Sequence, residues 1–401
     1  MNKILLKTTV TTLSNDGSGV GRTAGGKVIF VPFTSVGDEI ELSVCKETKS
    51  MIYGKLENIL TSSADRIPND CENFTKCGGC DFRHISYEAE LRAKEMFIRD
   101  AFMRISRGSA LINLSAQNSF SPEFLPLIPS EHTEYYRNKV QFPVGRDNSG
   151  RMIYGFYAPK SHEIIPHRHC KLYPAVFKEI ADEIIKTVPA GLQNIIIRKG
   201  HYSDDICVNF PPSEEQDITD TMCGINVKIS PRSFYQVNTP AAEKLYGMIR
   251  DFAEPDGKVI LDLYCGIGTI GLSMAKTAKH VTGVEAIESA VTNARENAFL
   301  NGFNNTDFIC GNAKVCKEFD KNPDVIILDP ARRGCDVSVL ESAAELSPER
   351  IIMVSCNPAT AARDCGILSA FGYRTVKVGG VDLFPRTRHA ECAVLLVRQT
   401  D

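Results

Sequence analysis

The chain has no long apolar run, no dominant sign of charge and no internal repeat. A membrane-spanning helix needs about 20 consecutive apolar residues, so membrane insertion is not expected. The first ten residues, MNKILLKTTV, hold a three-residue apolar run between two lysines. That is too short for a signal-peptide core. A cytoplasmic protein, monomeric and without membrane partners, is therefore the expectation. A net charge of −3 over 401 residues argues against wholesale nucleic-acid binding and directs attention to local patches.

Cysteine, by contrast, is plentiful, with fourteen in the chain. In a reducing compartment these thiols are core residues, metal ligands or nucleophiles rather than disulfides. Cys71-x5-Cys77-x2-Cys80 is the tightest group, and Gly78 and Gly79 let the backbone wrap closely around a ligand. Cys170, in HRHCKLYP, sits among basic and turn residues where a core thiol is out of place, which makes it the candidate fourth ligand. Four thiolates suit a [4Fe–4S] cluster or tetrahedral zinc, and zinc could also draw on His84 or His169. The spacing is not the C-x3-C-x2-C of radical S-adenosylmethionine (SAM) enzymes, so a closed structural cluster is expected rather than a catalytic one.

The length allows two or three domains. Residues 1–60 read as several short strands, with Ala24-Gly25-Gly26 as a hairpin turn, which suggests a small β-barrel of the oligonucleotide-binding kind. Residues 61–240 hold the cysteine group, a helix from Tyr87 to about Met103, a Ser/Asn/Pro-rich linker at 105–130, and short β runs with one helix near 174–187. This is a mixed α+β segment. From Tyr135 to Tyr173 seven Lys or Arg residues face only Asp147 and Glu163, interleaved with Tyr135, Tyr136, Phe142, Tyr154, Phe156 and Tyr157. Cations with stacking aromatics are what RNA binding needs, but a core stripe on a solvated sheet gives the same pattern.

Residues 241–401 alternate strands and helices. KVILDLY, HVTGVEA, TDFICGNA, PDVIILDP and RIIMVSC are five apolar strands separated by helical segments, the pattern of a Rossmann-like doubly wound α/β domain. The last two strands, YRTVKVGGVDLF and HAECAVLLVR, are joined by a short turn and should pair antiparallel at one sheet edge. Gly266-x-Gly268-x-x-Gly271 follows the first strand directly, with Glu285 nineteen residues beyond Gly266. Alone this also fits a dinucleotide site. Asp262 inside the strand end would repel a pyrophosphate, and the antiparallel pair favours a SAM methyltransferase.

At the same carboxyl edge RIIMVSC stops on Cys356, with Pro358 to fix the turn, and Glu391 opens an otherwise apolar strand. Burial of an unpaired carboxylate costs several kcal/mol and raises its pKa toward that of a useful base. The structural alternative is an ion pair to Arg386 or Arg388.

SFYQVN, DLYCGIGTIGL, DPARRG, SCNPAT and HAE, with the cysteine group and residues 1–60, resemble bacterial RNA uracil-C5-methyltransferases, specifically the iron–sulfur 23S ribosomal RNA branch with a TRAM domain. The resemblance spans nearly the whole chain. It implies Cys356 as nucleophile toward uracil carbon 6 and Glu391 as general base. It implies a SAM site lined by Gln236, Tyr264, Glu285 and Asp329, with Thr269 and Asn312 joining them. It implies a [4Fe–4S] cluster on Cys71, Cys77, Cys80 and Cys170, and a uridine flipped out of folded RNA. Ala331 departs from the family's usual Asp-Pro-Pro-Arg, while Asp329 and Arg332 are kept. The transfer RNA branch is expected to lack both cluster and TRAM domain, which favours ribosomal RNA. The rivals are a transfer RNA uracil-C5 enzyme, an RNA cytosine-C5 enzyme using Cys335 for product release, an NAD enzyme, and a non-catalytic RNA-binding assembly factor.

Overall fold

The computed structural model describes residues 5–108, 121–187, 191–211, 216–231, 233–313 and 322–399, with backbone only at 105–108. The amino-terminal unit is a six-stranded sheet in the order Leu5–Thr9, Glu39–Glu47, Met51–Thr61, Val28–Val31, Gly19–Arg22, Thr12–Leu13. Alternating residues of these strands enclose Val10, Ile29, Val31, Ile40, Leu42 and Ile52. The Ala24-Gly25-Gly26 turn is in place, closed by a Gly26 N–H bond to Thr23 O at 2.9 Å, with Gly26 at a φ of 81°.

The carboxyl-terminal unit is built on an eight-stranded sheet. Its order is Thr306–Cys310, His280–Glu285, Val259–Leu263, Val325–Leu328, Arg350–Ser355, Glu391–Arg398, Tyr373–Val381, Glu123–Ile128. The first five are parallel and are the five strands expected from the sequence. Val325–Leu328 is buried along its whole length, as a central parallel strand covered by helices on both faces must be.

Two expectations are corrected here. The final two strands do pair antiparallel, but they do not form the edge. Glu391–Arg398 is inserted between Arg350–Ser355 and Tyr373–Val381, and the edge is Glu123–Ile128, parallel to Tyr373–Val381. That edge strand comes from the segment read as an irregular linker, of which residues 109–120 lie outside the described residues. Pro126 concealed it. Proline cannot donate to a ladder, but an edge strand or a bulge tolerates it, and the register slips between its flanking pairs Val378–Phe124 and Gly380–Leu127.

The helix Tyr87–Gly108 packs on the helix Pro358–Ser369 and on the edge strand. Ile98 and Phe102 share a core with Leu127, Met353 and Val394. On the other face, the hairpin Ile218–Met222/Ile225–Ile229 and the helix Thr239–Ala253 share a core with Ile260, Ile327 and Ile352. The packing therefore does not divide at residue 240. Part of the middle segment belongs to the eight-stranded sheet.

What remains of the middle holds a four-stranded antiparallel sheet in the order Ile206–Asn209, Asn194–Lys199, Lys139–Arg146, Met152–Tyr154, covered by the helix Ala175–Thr187, and a two-stranded ribbon of Phe156–Tyr157 and Ile164–Ile165. Its aromatics are mainly core. Phe142 lies 5.1 Å from Tyr154 and 5.2 Å from Tyr173, all three buried. Tyr136 is buried too, so only Tyr135 and Tyr157 of the interleaved set stand well exposed. The aromatic stripe is thus explained by packing. Among the described residues no helix is long and apolar enough to cross a membrane.

Gly380 marks how tightly the sheet meets the helix layer. A Cβ there would lie 2.6 Å from Ile98 Cδ1 and 2.9 Å from the carbonyl oxygen of Glu391. Gly380→Ala should cost about 1–3 kcal/mol, read as a lowered denaturation midpoint by circular dichroism, since the chain has no tryptophan to report unfolding.

Candidate active site

The glycine loop leaves the strand Val259–Leu263 through three left-handed residues, Tyr264, Gly266 and Gly268, and enters the short helix Thr269–Met274. Asp262 is fully buried beneath it. Its Oδ2 accepts the Gly271 N–H at 2.9 Å, while Oδ1 has no partner. Burial pushes its carboxyl up to about 7, against the pull of the Gly271 bond. Asp262 therefore braces the helix start rather than facing a ligand phosphate.

Glu285 ends the neighbouring strand. Its Oε2 accepts the Gly266 N–H at 3.1 Å and its Oε1 the Ile287 N–H at 3.0 Å. A Cβ built on Gly266 would meet nothing within 4 Å, so the loop keeps an open face. Thr269 Oγ1 and Tyr246 OH are 3.0 Å apart behind it. Asp329 follows the strand Val325–Leu328 on the same rim, close enough to raise the Asp262 and Tyr246 pKa values. An open glycine loop with an acidic strand end on either side fits SAM. Gln236 is buried in the loop before Thr239–Ala253, its carbonyl accepting from Asn138 Nδ2 at 2.9 Å. Asn312 is exposed just past Thr306–Cys310.

The thiol and the carboxylate are brought together by strand pairing. Ser355 opposes Cys392 in the antiparallel ladder, so one step further Cys356 lies beside Glu391. After the thiol, the Asn357 side chain accepts the Ala359 N–H at 3.2 Å, and Pro358 is the first residue of the twelve-residue helix Pro358–Ser369. Pro358 does more than shape a turn. Its fixed φ and missing N–H suit the first helical position. The Cys356 thiol is half-buried and pushed up to about 11, by burial first and then by the Glu391 and Asp329 carboxylates, against the opposing pull of Arg332.

Glu391 is 6% exposed, and burial followed by the Asp329 charge pushes it up to about 8. Burial raises Asp329 itself to about 6. The ion-pair alternative is not realised. Arg386 lies 3.9 Å from Glu90 and Arg388 lies 3.2 Å from Asp81.

Cys356 opens on a cleft of about 740 Å³ between the amino-terminal sheet and the catalytic edge. Thr12, Arg22 and Phe30 line one wall, and Arg332, Arg388 and His389 the other. Burial, then Arg332 and Arg388, lowers His389 to about 4, so its ring is neutral. Arg22 and His389 share this cleft with the thiol; His389 opens the HAE motif, whereas Arg22 stands in no chemically distinctive spacing. Cys335 is buried against Tyr264 and Asp364 and does not line the cleft, which removes the second thiol that cytosine chemistry would need there.

Cys71, Cys77, Cys80 and Cys170 line one small cavity with Arg83 and His167. The Gly79 N–H donates to Cys77 Sγ at 3.3 Å. Burial pushes the Cys80 thiol up to about 11 and Cys170 to about 12. Among the described residues no three His, Cys, Asp or Glu side chains converge to hold a single metal ion. His84 is not at the cavity: its Nε2 is 3.2 Å from Thr34 O and its ring stacks on Phe74. His169 is exposed at the rim. The buried histidine of the cavity wall is His167, with neither ring nitrogen partnered, and the sequence did not single it out.

The chain matches the family model described as tRNA (Uracil-5-)-methyltransferase over residues 214–399. Residues 6–64 match a model for the TRAM domain of tRNA (uracil(54)-C(5))-methyltransferase. Relatives from Clostridium tetani and Staphylococcus aureus, each described as an uncharacterized RNA methyltransferase, are both 33% identical, over 98% and 96% of this chain and 96% of their own length. The Pyrococcus abyssi tRNA (uracil-54, C5)-methyltransferase, solved with S-adenosyl-L-homocysteine, shares the fold with a TM-score of 0.75 and 24% identity, over 98% of this chain and all of that one. Fold and glycine loop define a SAM-dependent methyltransferase. The chain belongs to the RNA uracil-C5 methyltransferase family with an amino-terminal TRAM domain. The NAD and non-catalytic readings fall with that assignment. The expectation that a TRAM domain sets the chain apart from transfer RNA enzymes is also overturned, because the matching TRAM model is named for one.

Asp262, Asp329 and Glu391 all hold protons to higher pH in the folded chain than unfolded carboxyls do. The folded state therefore binds more protons between about pH 4 and pH 8, and stability falls as pH rises through that window. Glu391→Gln removes one share of this loss. The variant should match the parent near pH 4 and exceed it near pH 9 by on the order of 2 kcal/mol, measured by urea denaturation at both pH values.

Proposed function

We propose that Cys356 and Glu391 carry out uracil-C5 methylation as nucleophile and base, and that the substrate is a uridine of 23S ribosomal RNA. The observation that carries the mechanism is the placement of the thiol, which lines the cleft, beside a buried carboxyl that forms no ion pair with Arg386 or Arg388. Carbon 5 of uracil is a weak nucleophile. Addition of the Cys356 sulfur to carbon 6 places negative charge on carbon 5. Arg332 is the nearby cation that favours the thiolate. SAM, when bound, supplies an electrophilic methyl group. Tyr264, Thr269, Glu285, Asp329, Gln236 and Asn312 are the residues proposed to hold it. Once carbon 5 bears the methyl group, Glu391 takes the proton still on that carbon and the sulfur is expelled, restoring the ring double bond. An ionised Glu391 is needed for that step, so activity should rise toward pH 8.

The ribosomal assignment rests on the resemblance and on the four thiols around one cavity. Among the described residues no three His, Cys, Asp or Glu side chains are arranged to hold a metal ion, so the [4Fe–4S] cluster is proposed on the resemblance and on the shared cavity of the four thiols. The match of residues 6–64 to a transfer RNA enzyme's TRAM domain favours transfer RNA as the second reading. Mapping 5-methyluridine in ribosomal and transfer RNA from a deletion strain decides between them.

Cys356→Ala should abolish tritium release from 5-tritiated RNA while leaving SAM affinity, by titration calorimetry, within a few fold. Appreciable release would refute the nucleophile. Glu391→Gln should accumulate a denaturant-resistant protein–RNA adduct, and normal turnover without adduct would sink the base. Anaerobically purified protein should contain iron and acid-labile sulfide in equal amounts with visible absorbance; stoichiometric zinc instead would overturn the cluster.

A further inference from the structure

The connection between the strands Tyr373–Val381 and Glu391–Arg398 carries Arg388 and His389 into the cleft and ends at Glu391. It is gripped from outside by the helix Tyr87–Gly108. Lys94, wholly buried, donates from Nζ to Glu90 Oε1 and Asp382 Oδ1, both at 2.7 Å, and to Phe384 O at 3.1 Å. Glu90 Oε1 also accepts the Arg386 N–H at 2.7 Å. Asp382 Oδ1 accepts the Phe384 N–H at 3.2 Å. Asp382 Oδ2 accepts the Tyr87 hydroxyl at 2.9 Å, and that hydroxyl in turn accepts the Ser130 N–H at 2.8 Å. Arg386 lies 3.9 Å from Glu90, so two cations offset two carboxylates.

A buried ion network of this kind is often no more stabilising than apolar residues of the same volume. What it does supply is direction, since it bonds the main chain of Phe384 and Arg386, which an apolar plug cannot do. Asp382 directly follows Val381, the ladder partner of Glu391, so the network holds the root of the connection as well as its middle. Cys356 stands between the strand Arg350–Ser355 and the helix Pro358–Ser369, and none of these bonds is made to either.

We propose that Lys94, with Glu90 and Asp382, is a positioning residue for the proton-removal step: it fixes the path of residues 382–388 and through it the reach of Glu391, leaving thiol addition alone. The proposal rests on Glu391 being the base.

The test compares wild-type protein, Glu391→Gln and the charge-balanced pair Lys94→Met/Asp382→Asn in one series. Thermal midpoint, SAM affinity, covalent RNA adduct and tritium release from 5-tritiated RNA are measured on each. The pair should keep its SAM affinity, lose at least tenfold in tritium release, and accumulate adduct as Glu391→Gln does. Unchanged release, or adduct and release falling together, would overturn the proposal. If Glu391→Gln gathers adduct and the pair does not, positioning fails while the base stands; if neither gathers adduct, the base reading fails and positioning with it. Should the pair not fold, Tyr87→Phe decides, because it removes only the hydroxyl linking Asp382 to Ser130. It should lower release twofold to fivefold with added adduct, and no change in either would count against the network.

Discussion

The active site depends on one pairing: Glu391–Arg398 inserted antiparallel between Arg350–Ser355 and Tyr373–Val381, with Ser355 opposite Cys392. Because side chains alternate along a strand, a slip of one residue would turn Glu391 away from the thiol and bring a neighbour in its place. The register is specified by burial. Cys392, Ala393, Val394, Leu395 and Leu396 are buried on both faces of the sheet, so no polar residue of this strand can take their places without cost. The proposed catalytic pair is thus set by the core rather than by a loop, and the loop beside it needs only to be held still.

Three carboxyls lie along one edge of the sheet, each raised by burial: Asp262 and Asp329 at the carboxyl ends of neighbouring strands, and Glu391 at the amino end of the antiparallel strand two places further on. Together they would form a strongly anionic rim if fully ionised. Raised pKa values leave the rim partly neutral near pH 7, while Arg332 and Arg388 supply positive charge on the side that faces the cleft. A polyanion can then approach the thiol past arginines while the acidic groups stay behind it. The small negative charge of the whole chain is compatible with this, since recognition depends on where the arginines sit.

The sequence made the central architecture legible because its signals are local. Five apolar runs, a glycine loop and a cysteine at a strand end are each contained in a few residues. The neighbourhood of Cys356 and Glu391 followed from asking what lies on one sheet edge. The misses are all long-range. The edge strand Glu123–Ile128 was concealed by Pro126 and by a partner far away in the chain. Of the aromatics of the basic segment, read as an RNA stacking surface or a core stripe with equal justice, Phe142, Tyr154 and Phe156 pack against Tyr173 or one another while Tyr135 and Tyr157 stand exposed, and no periodicity distinguishes the two. The contribution of the amino-terminal sheet to the cleft and the unpartnered His167 arise only when separate segments meet, so no spacing announces them.

The edge strand has a consequence for the making of the protein. Glu123 pairs with Lys377, 254 positions later in the chain. At a synthesis rate of about 5–20 residues per second, the strand waits roughly 13 to 51 s for its partner to be made. During that interval the hexapeptide Glu123–Ile128, apolar but for Glu123, lacks the strand it pairs with in the finished sheet. Pro126 at its centre, which spoils the segment as a template for stray β pairing, then acts as a safeguard for the nascent chain as well as a tolerated irregularity of the finished sheet.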